Sequence, residues 1–99
     1  MIARVWRGRV RAQMLDEYRR YIESTGLNDY RATPGNRGAW MLTRECDGYG
    51  DVVTFSLWDS LESIEGFAGK DVTRARYYPE DERFLLDFPE RVEHYDVVS

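Results

Sequence analysis

The chain has 99 residues and a mass of 11.7 kDa, which fits one domain spanning 1–99 and a small core. Its 14 basic and 18 acidic residues leave a formal charge of −4, a poor match to the positive surface that nucleic acid requires. One cysteine, Cys46, excludes an intrachain disulfide and any multi-cysteine metal site, and no apolar run approaches the ~20 residues that cross a bilayer. The opening MIARVWRGRVR lacks the apolar stretch of a signal peptide, so the expectation is a soluble cytoplasmic protein. Aromatic residues reach 14%, which points to an interface or a flat-walled pocket as well as to the core.

Ile2 to Val10 interleaves β-branched and aromatic residues with arginines. A strand here puts Ile2, Arg4 and Trp6 on one face and Ala3, Val5 and Arg7 on the other. From Ala12 to Thr25 the spacing of Met14, Leu15, Tyr18, Tyr21, Ile22 and Thr25 turns helical, with charged residues opposite. Gly26 then stands where a left-handed cap would end that helix. Thr33-Pro34-Gly35-Asn36 reads as a turn. Strands over 38–46 and 51–58 follow, joined by a hairpin at Asp47-Gly48-Tyr49-Gly50.

Asp59-Ser60-Leu61-Glu62 resembles a capping box opening a short helix, with Leu61, Ile64, Phe67 and Ala68 on one face and an end near Gly69. Pro79 and three acids open another helix that runs only to about Leu86, because Pro89 follows. Arg91 to Val98 alternates as a last strand. The order predicts an α+β, ferredoxin-like split-βαβ sandwich with a four-stranded antiparallel sheet. Val53, Phe55 and Leu57 on one face and Val52 and Trp58 on the other make both sheet faces apolar. Two helices cover only one face, so a second copy is expected on the other, giving a homodimer.

The stretches ARVWRGR, TGLNDYRATPGNRGAW, FSLWDSLESIEGFAG and ARYYPEDERFL…VEHYDVV resemble the antibiotic biosynthesis monooxygenase group of the dimeric α/β-barrel superfamily. The resemblance implies two ferredoxin-like subunits pressed sheet to sheet into a barrel, each with a pocket between helices and sheet. Some members of that group oxidise polycyclic phenols to quinones with O2 and neither metal nor flavin, others degrade haem, and many have no established activity. In the haem branch a Trp presses on the macrocycle and a later His ligates iron. The matching positions here are Phe67 and Tyr77, so the ligand is missing and tight haem binding is not expected.

His94, the sole histidine, is either a structural ring on the last strand or a general base facing the pocket; alone it makes a poor metal site. Tyr77 and Tyr78 fall where the resemblance puts the pocket mouth, though packing on Phe84 and Leu85 explains them equally well. Arg76, with Arg74, suits a phenolate or enolate, or else an acid such as Asp71 or Glu80. Phe67 is a pocket wall by resemblance, Phe84 a further candidate, and Trp6 and Trp58 belong to pocket, core or barrel interface. The expectation is therefore a cofactor-independent, metal-free monooxygenase acting on a small aromatic or polyketide-like molecule. Its rivals are a binding module without turnover and a structural or stress-linked dimer with an empty pocket.

Overall fold

The computed structural model describes residues 1–98. They form β1 (Ile2–Arg11), a 3-10 turn (Ala12–Met14), α1 (Leu15–Ser24), α2 (Gly26–Ala32), β2 (Asn36–Cys46), β3 (Tyr49–Trp58), α3 (Leu61–Ala68), α4 (Asp81–Phe84) and β4 (Glu93–Asp96). The strands make one antiparallel sheet in the order β2-β3-β1-β4, the ferredoxin-like arrangement. β3 alternates as its sequence demands: Val52, Thr54, Ser56 and Trp58 are buried under the helices, while Val53, Phe55 and Leu57 are half-buried on the opposite face.

Facing pairs share a side of the sheet, so register extends that division to its neighbours. Arg4 lies opposite Ser56 and His94, and Trp6 opposite Thr54, all on the helix side. Tyr18 and Ile22 of α1, Leu27 and Tyr30 of α2, and Ile64 and Phe67 of α3 close over this side to form the core. On the bare side Trp40, Leu42 and Tyr95 are exposed. A trough of about 560 Å³ runs there between Arg7, Arg9, Arg44 and the Asp87–Pro89 segment. No described helix is long and apolar enough to cross a membrane.

The local differences from expectation have physical causes. Gly26 does not cap α1 in a left-handed conformation. Thr25 takes the break, at φ −121° and ψ −86°, and Gly26 starts α2, which turns Leu27 and Tyr30 into the core. The cap of α3 is Ser60 reciprocating with Ser63, one residue on from the expected start, and this leaves Leu61 exposed. α4 stops at Phe84 rather than Leu86 because the chain becomes extended and joins the free edge of β1. There Leu85 bridges Val10, and the Leu86 N–H donates to the Arg9 carbonyl at 2.9 Å. The last strand is shorter than its alternation suggests, with Arg91 only bridging Arg74.

Two turns need glycine. The β2–β3 hairpin turns on Asp47 and Gly48, at φ 52° and 81°, a pair of positive values that matches the twist of the strands. Gly35 sits at φ 92°, and a Cβ there would collide with the Ser63 side chain. Gly35→Ala should therefore cost about 1–3 kcal/mol through strain and collision together. Gly48→Ala has open space around it and should cost less. Thermal melts of the two variants check the ranking, and equal losses would show that the collision relaxes freely.

Candidate functional site

Between sheet and helices lies a narrow, partly open slot of about 30 Å³, room for a water or two. β1 contributes Arg4 and Trp6, α1 Tyr18 and Ile22, α2 Gly26 and Tyr30, and β3 Thr54. Phe67 of α3, the Arg76-Tyr77-Tyr78 segment, Asp81 and Val92 complete it. Aromatic rings make nearly half of its lining. Tyr30 stacks on Phe67 at 4.3 Å between centroids, Trp6 meets Tyr77 edge-on at 6.2 Å, and Tyr30 donates or accepts with the Thr54 hydroxyl at 3.2 Å.

The floor of the slot holds a charge. Arg4 is 1% exposed, and its Nη1 donates to the Val72 carbonyl at 2.5 Å while Nη2 donates to the Arg74 carbonyl at 3.0 Å. Nη1 also lies 3.1 Å from His94 Nε2. A guanidinium has only donors, so His94 must offer its Nε2 lone pair and carry its proton on Nδ1. Burial, and then the adjacent Arg4 charge, push the His94 pKa down, which keeps the ring neutral near pH 7. The guanidinium also lies 5.6 Å from the Phe67 centroid. Its Nε–H has no partner among the described residues. Burial lowers the Arg4 pKa, partly opposed by the Tyr30 phenol.

On the far wall Asp81 is 2% exposed, with Oδ1 accepting from the Tyr18 hydroxyl at 3.2 Å and Oδ2 from the Tyr78 N–H at 2.6 Å. Burial raises its pKa, as it raises those of Tyr18, Tyr77 and Tyr78. The mouth is bridged from outside. Asp29 of α2 accepts from the Tyr78 hydroxyl at 2.6 Å and from Arg76 at 3.3 Å, and Arg76 also donates to the Phe67 carbonyl at 3.0 Å. The Arg76 guanidinium lies over both Phe67 and Tyr78, at 4.8 and 5.1 Å from their centroids.

The structure thus gathers Trp6, Phe67, Arg76, Tyr77 and Tyr78 around one slot. His94 stands behind Arg4 rather than on the lining, and its acceptor nitrogen faces that cation. The carboxylate partner of Arg76 is Asp29, neither Asp71 nor Glu80. Trp58 is fully buried behind Tyr30 and Phe67, donating from Nε1 to Ser56 Oγ at 2.9 Å, and does not reach the slot. Phe84 packs on Tyr18 at 5.1 Å and on Tyr21 at 5.6 Å, again outside the lining. Tyr77 is doubly engaged, accepting from Trp6 Nε1 at 3.2 Å and donating to the Pro89 carbonyl.

Arg4, Tyr30 and Asp81 were not among the residues that sequence reasoning put at the site. Only Arg4 left a signal, by sharing a strand face with Ile2 and Trp6. Among the described residues no three His, Cys, Asp or Glu side chains group as metal ligands.

No protein-family model matches the chain, and no curated protein matches it in sequence. Among solved structures, that of Rv0793 from Mycobacterium tuberculosis superposes with a TM-score of 0.65 at 18% identity, covering 99% of this chain and 95% of that one. At that identity the likeness speaks for the shared fold, over nearly the whole of both chains.

Proposed function

We propose that the chain is a cofactor-independent oxygenase of small flat phenols, of the antibiotic biosynthesis monooxygenase kind, working as a homodimer. The observation that carries this reading is the slot itself, with aromatic walls and a buried guanidinium at its floor. The resemblance of ARVWRGR, FSLWDSLESIEGFAG and ARYYPEDERFL to that group supplies the chemistry. In the overall step a phenol and O2 give a quinone and water. The phenol O–H and a ring C–H break, one oxygen atom becomes the new carbonyl, and the other leaves as water.

The chain's own part is to hold the substrate as its oxygen-centred anion and to exclude water while O2 reacts. Arg4 supplies positive charge where that anion would form, and the rings of Trp6, Tyr30 and Phe67 flatten the site around it. Arg76 and Tyr78 stand at the mouth, so substrate entry displaces their contacts with Asp29.

Oxygen uptake with hydroxylated anthrones, in buffer containing a metal chelator, tests the reading. The expected result is quinone absorbance with equal amounts of O2 consumed and quinone formed, above the rate without protein. No uptake across a broad panel of phenols would overturn it.

One observation favours a second reading, ligand binding without turnover. The two groups best suited to take a proton are already engaged: His94 Nε2 faces Arg4, and the Asp81 carboxylate accepts from the Tyr18 hydroxyl and the Tyr78 N–H.

A further inference from the structure

We propose that the slot's ligand is a small flat monoanion, an aromatic phenolate or carboxylate, whose charged oxygen is held by the Nε–H of Arg4. This rests on the slot being the ligand site, as above, but not on any oxidation taking place there.

The charges of this molecule are arranged the wrong way round for stability alone. Most of the exposed arginines, among them Arg7, Arg9, Arg37, Arg44, Arg83 and Arg91, pair with carboxylates, and those that do not, such as Arg11 and Arg20, stand in water. Arg4, the buried one, pairs with none among the described residues. The nearby carboxylates are taken: Asp29 by Tyr78 and Arg76, Asp81 by Tyr18 and the Tyr78 N–H, Asp71 by Arg91 and Thr73. Two carbonyls, a neutral imidazole and a ring face soften the cost of burying the cation but bring no countercharge. The Nε–H is buried as well as unpartnered, and a water beside it would still leave the charge uncompensated.

The chemistry of the partner follows from its surroundings. Three of the five N–H groups are engaged, leaving the Nε–H and one N–H of Nη2 without a partner among the described residues, so one anionic oxygen or one carboxylate edge is called for rather than a phosphate needing more donors. Asp81 on the same lining repels a second negative charge. Trp6, Tyr30, Phe67 and Tyr78 favour a flat ring over a branched aliphatic acid. At about 30 Å³ the slot holds little more than water, so a ligand the size of an aromatic ring must part the Asp29 contacts. Those are half-exposed surface contacts, individually weak.

The test uses the full chain and three probes of nearly one shape: 4-nitrophenol, 4-nitrobenzoate and the neutral 4-nitroanisole. Calorimetry near pH 8 should show saturable binding of at least one anion, preferred over the anisole by roughly tenfold or more. The visible band of 4-nitrophenol should show its ionisation moved to lower pH when bound. Phenolate binding without benzoate binding identifies a phenol as the natural chemistry, and the reverse a carboxylic acid. Arg4→Met, which keeps the length of the side chain but neither charge nor donors, should reduce anion affinity to that of the anisole.

Arg4 also holds two carbonyls, so where Arg4→Met fails to fold, the comparison of anion with anisole in the unaltered protein decides. Equal affinity for the anisole, no saturable anion binding at millimolar concentration, or full anion binding by folded Arg4→Met overturns the proposal. Anion binding without oxygen uptake leaves it standing and removes the oxygenase reading. Uptake with neutral substrates that survives Arg4→Met does the opposite.

Discussion

Trp58→Ala should cost about 3–5 kcal/mol, a large part of the 5–15 kcal/mol that holds an ordinary domain together. Trp58 ends β3 with no exposed surface, and its indole is the largest fully buried side chain. Its ring is edge-on to Tyr30 at 6.1 Å and tilted against Phe67 at 6.3 Å, so truncation opens a cavity between sheet and α3. It also strips the Ser56 hydroxyl, itself fully buried, of its indole N–H partner. Urea unfolding should show the midpoint fall sharply with little change of slope. A loss below about 1 kcal/mol would show that α3 collapses into the gap. Tyr30 and Phe67 are walls of the slot, so ligand binding should weaken in the same variant even where it remains folded.

Phe55→Asp should split the proposed homodimer. Light scattering of the unaltered protein at micromolar concentration should give twice the 11.7 kDa of one chain, and the variant should give a single chain. Phe55 lies at the centre of the bare sheet face, flanked across the strands by Trp40 and Val5 and beside the exposed Leu42. Such a face packed on its own copy, as proposed, would bury an apolar centre at Phe55, Trp40 and Leu42 rimmed by the Arg7, Arg9 and Arg44 ion pairs, with more than ~2,000 Å² expected for an obligate pair. A carboxylate buried at its centre without a partner costs several kcal/mol, and each 1.4 kcal/mol is about a decade of affinity. The slot walls come from one chain and from the other side of the sheet, so anion binding should survive in the monomer. An unaltered protein that scatters as a monomer removes the dimer from the proposal.

Much of the fold was legible in the sequence because its signals are local. Alternation along β3 separates Val52, Thr54, Ser56 and Trp58 from Val53, Phe55 and Leu57, and the sheet buries the first set as that alternation requires. The spacing of Tyr18 and Ile22 marks the buried side of α1, Asp47-Gly48 marks the hairpin, and a serine marks the start of α3. The second short helix was missed because Gly26 resembles a stop signal. What sent the chain on into α2 was the burial of Leu27 and Tyr30, a contact with the sheet rather than with neighbours in sequence.

The site divides along the same line. By itself the sequence determined that Arg4 shares a strand face with Trp6, while Arg7 points the other way. The resemblance to a known family, rather than any local pattern, put Phe67, Tyr77 and Tyr78 among the candidates beside Trp6 and Arg76. Only the tertiary structure decided that helices close over Arg4, and that its Nη1 meets the ring of His94, 90 positions away. It alone set Trp58 and Phe84 behind the slot and spent Asp29 and Asp81 on tyrosines. Periodicity reports which face a residue occupies. Whether a buried charge meets its counterion depends on segments brought together from across the chain, and no local pattern encodes that meeting.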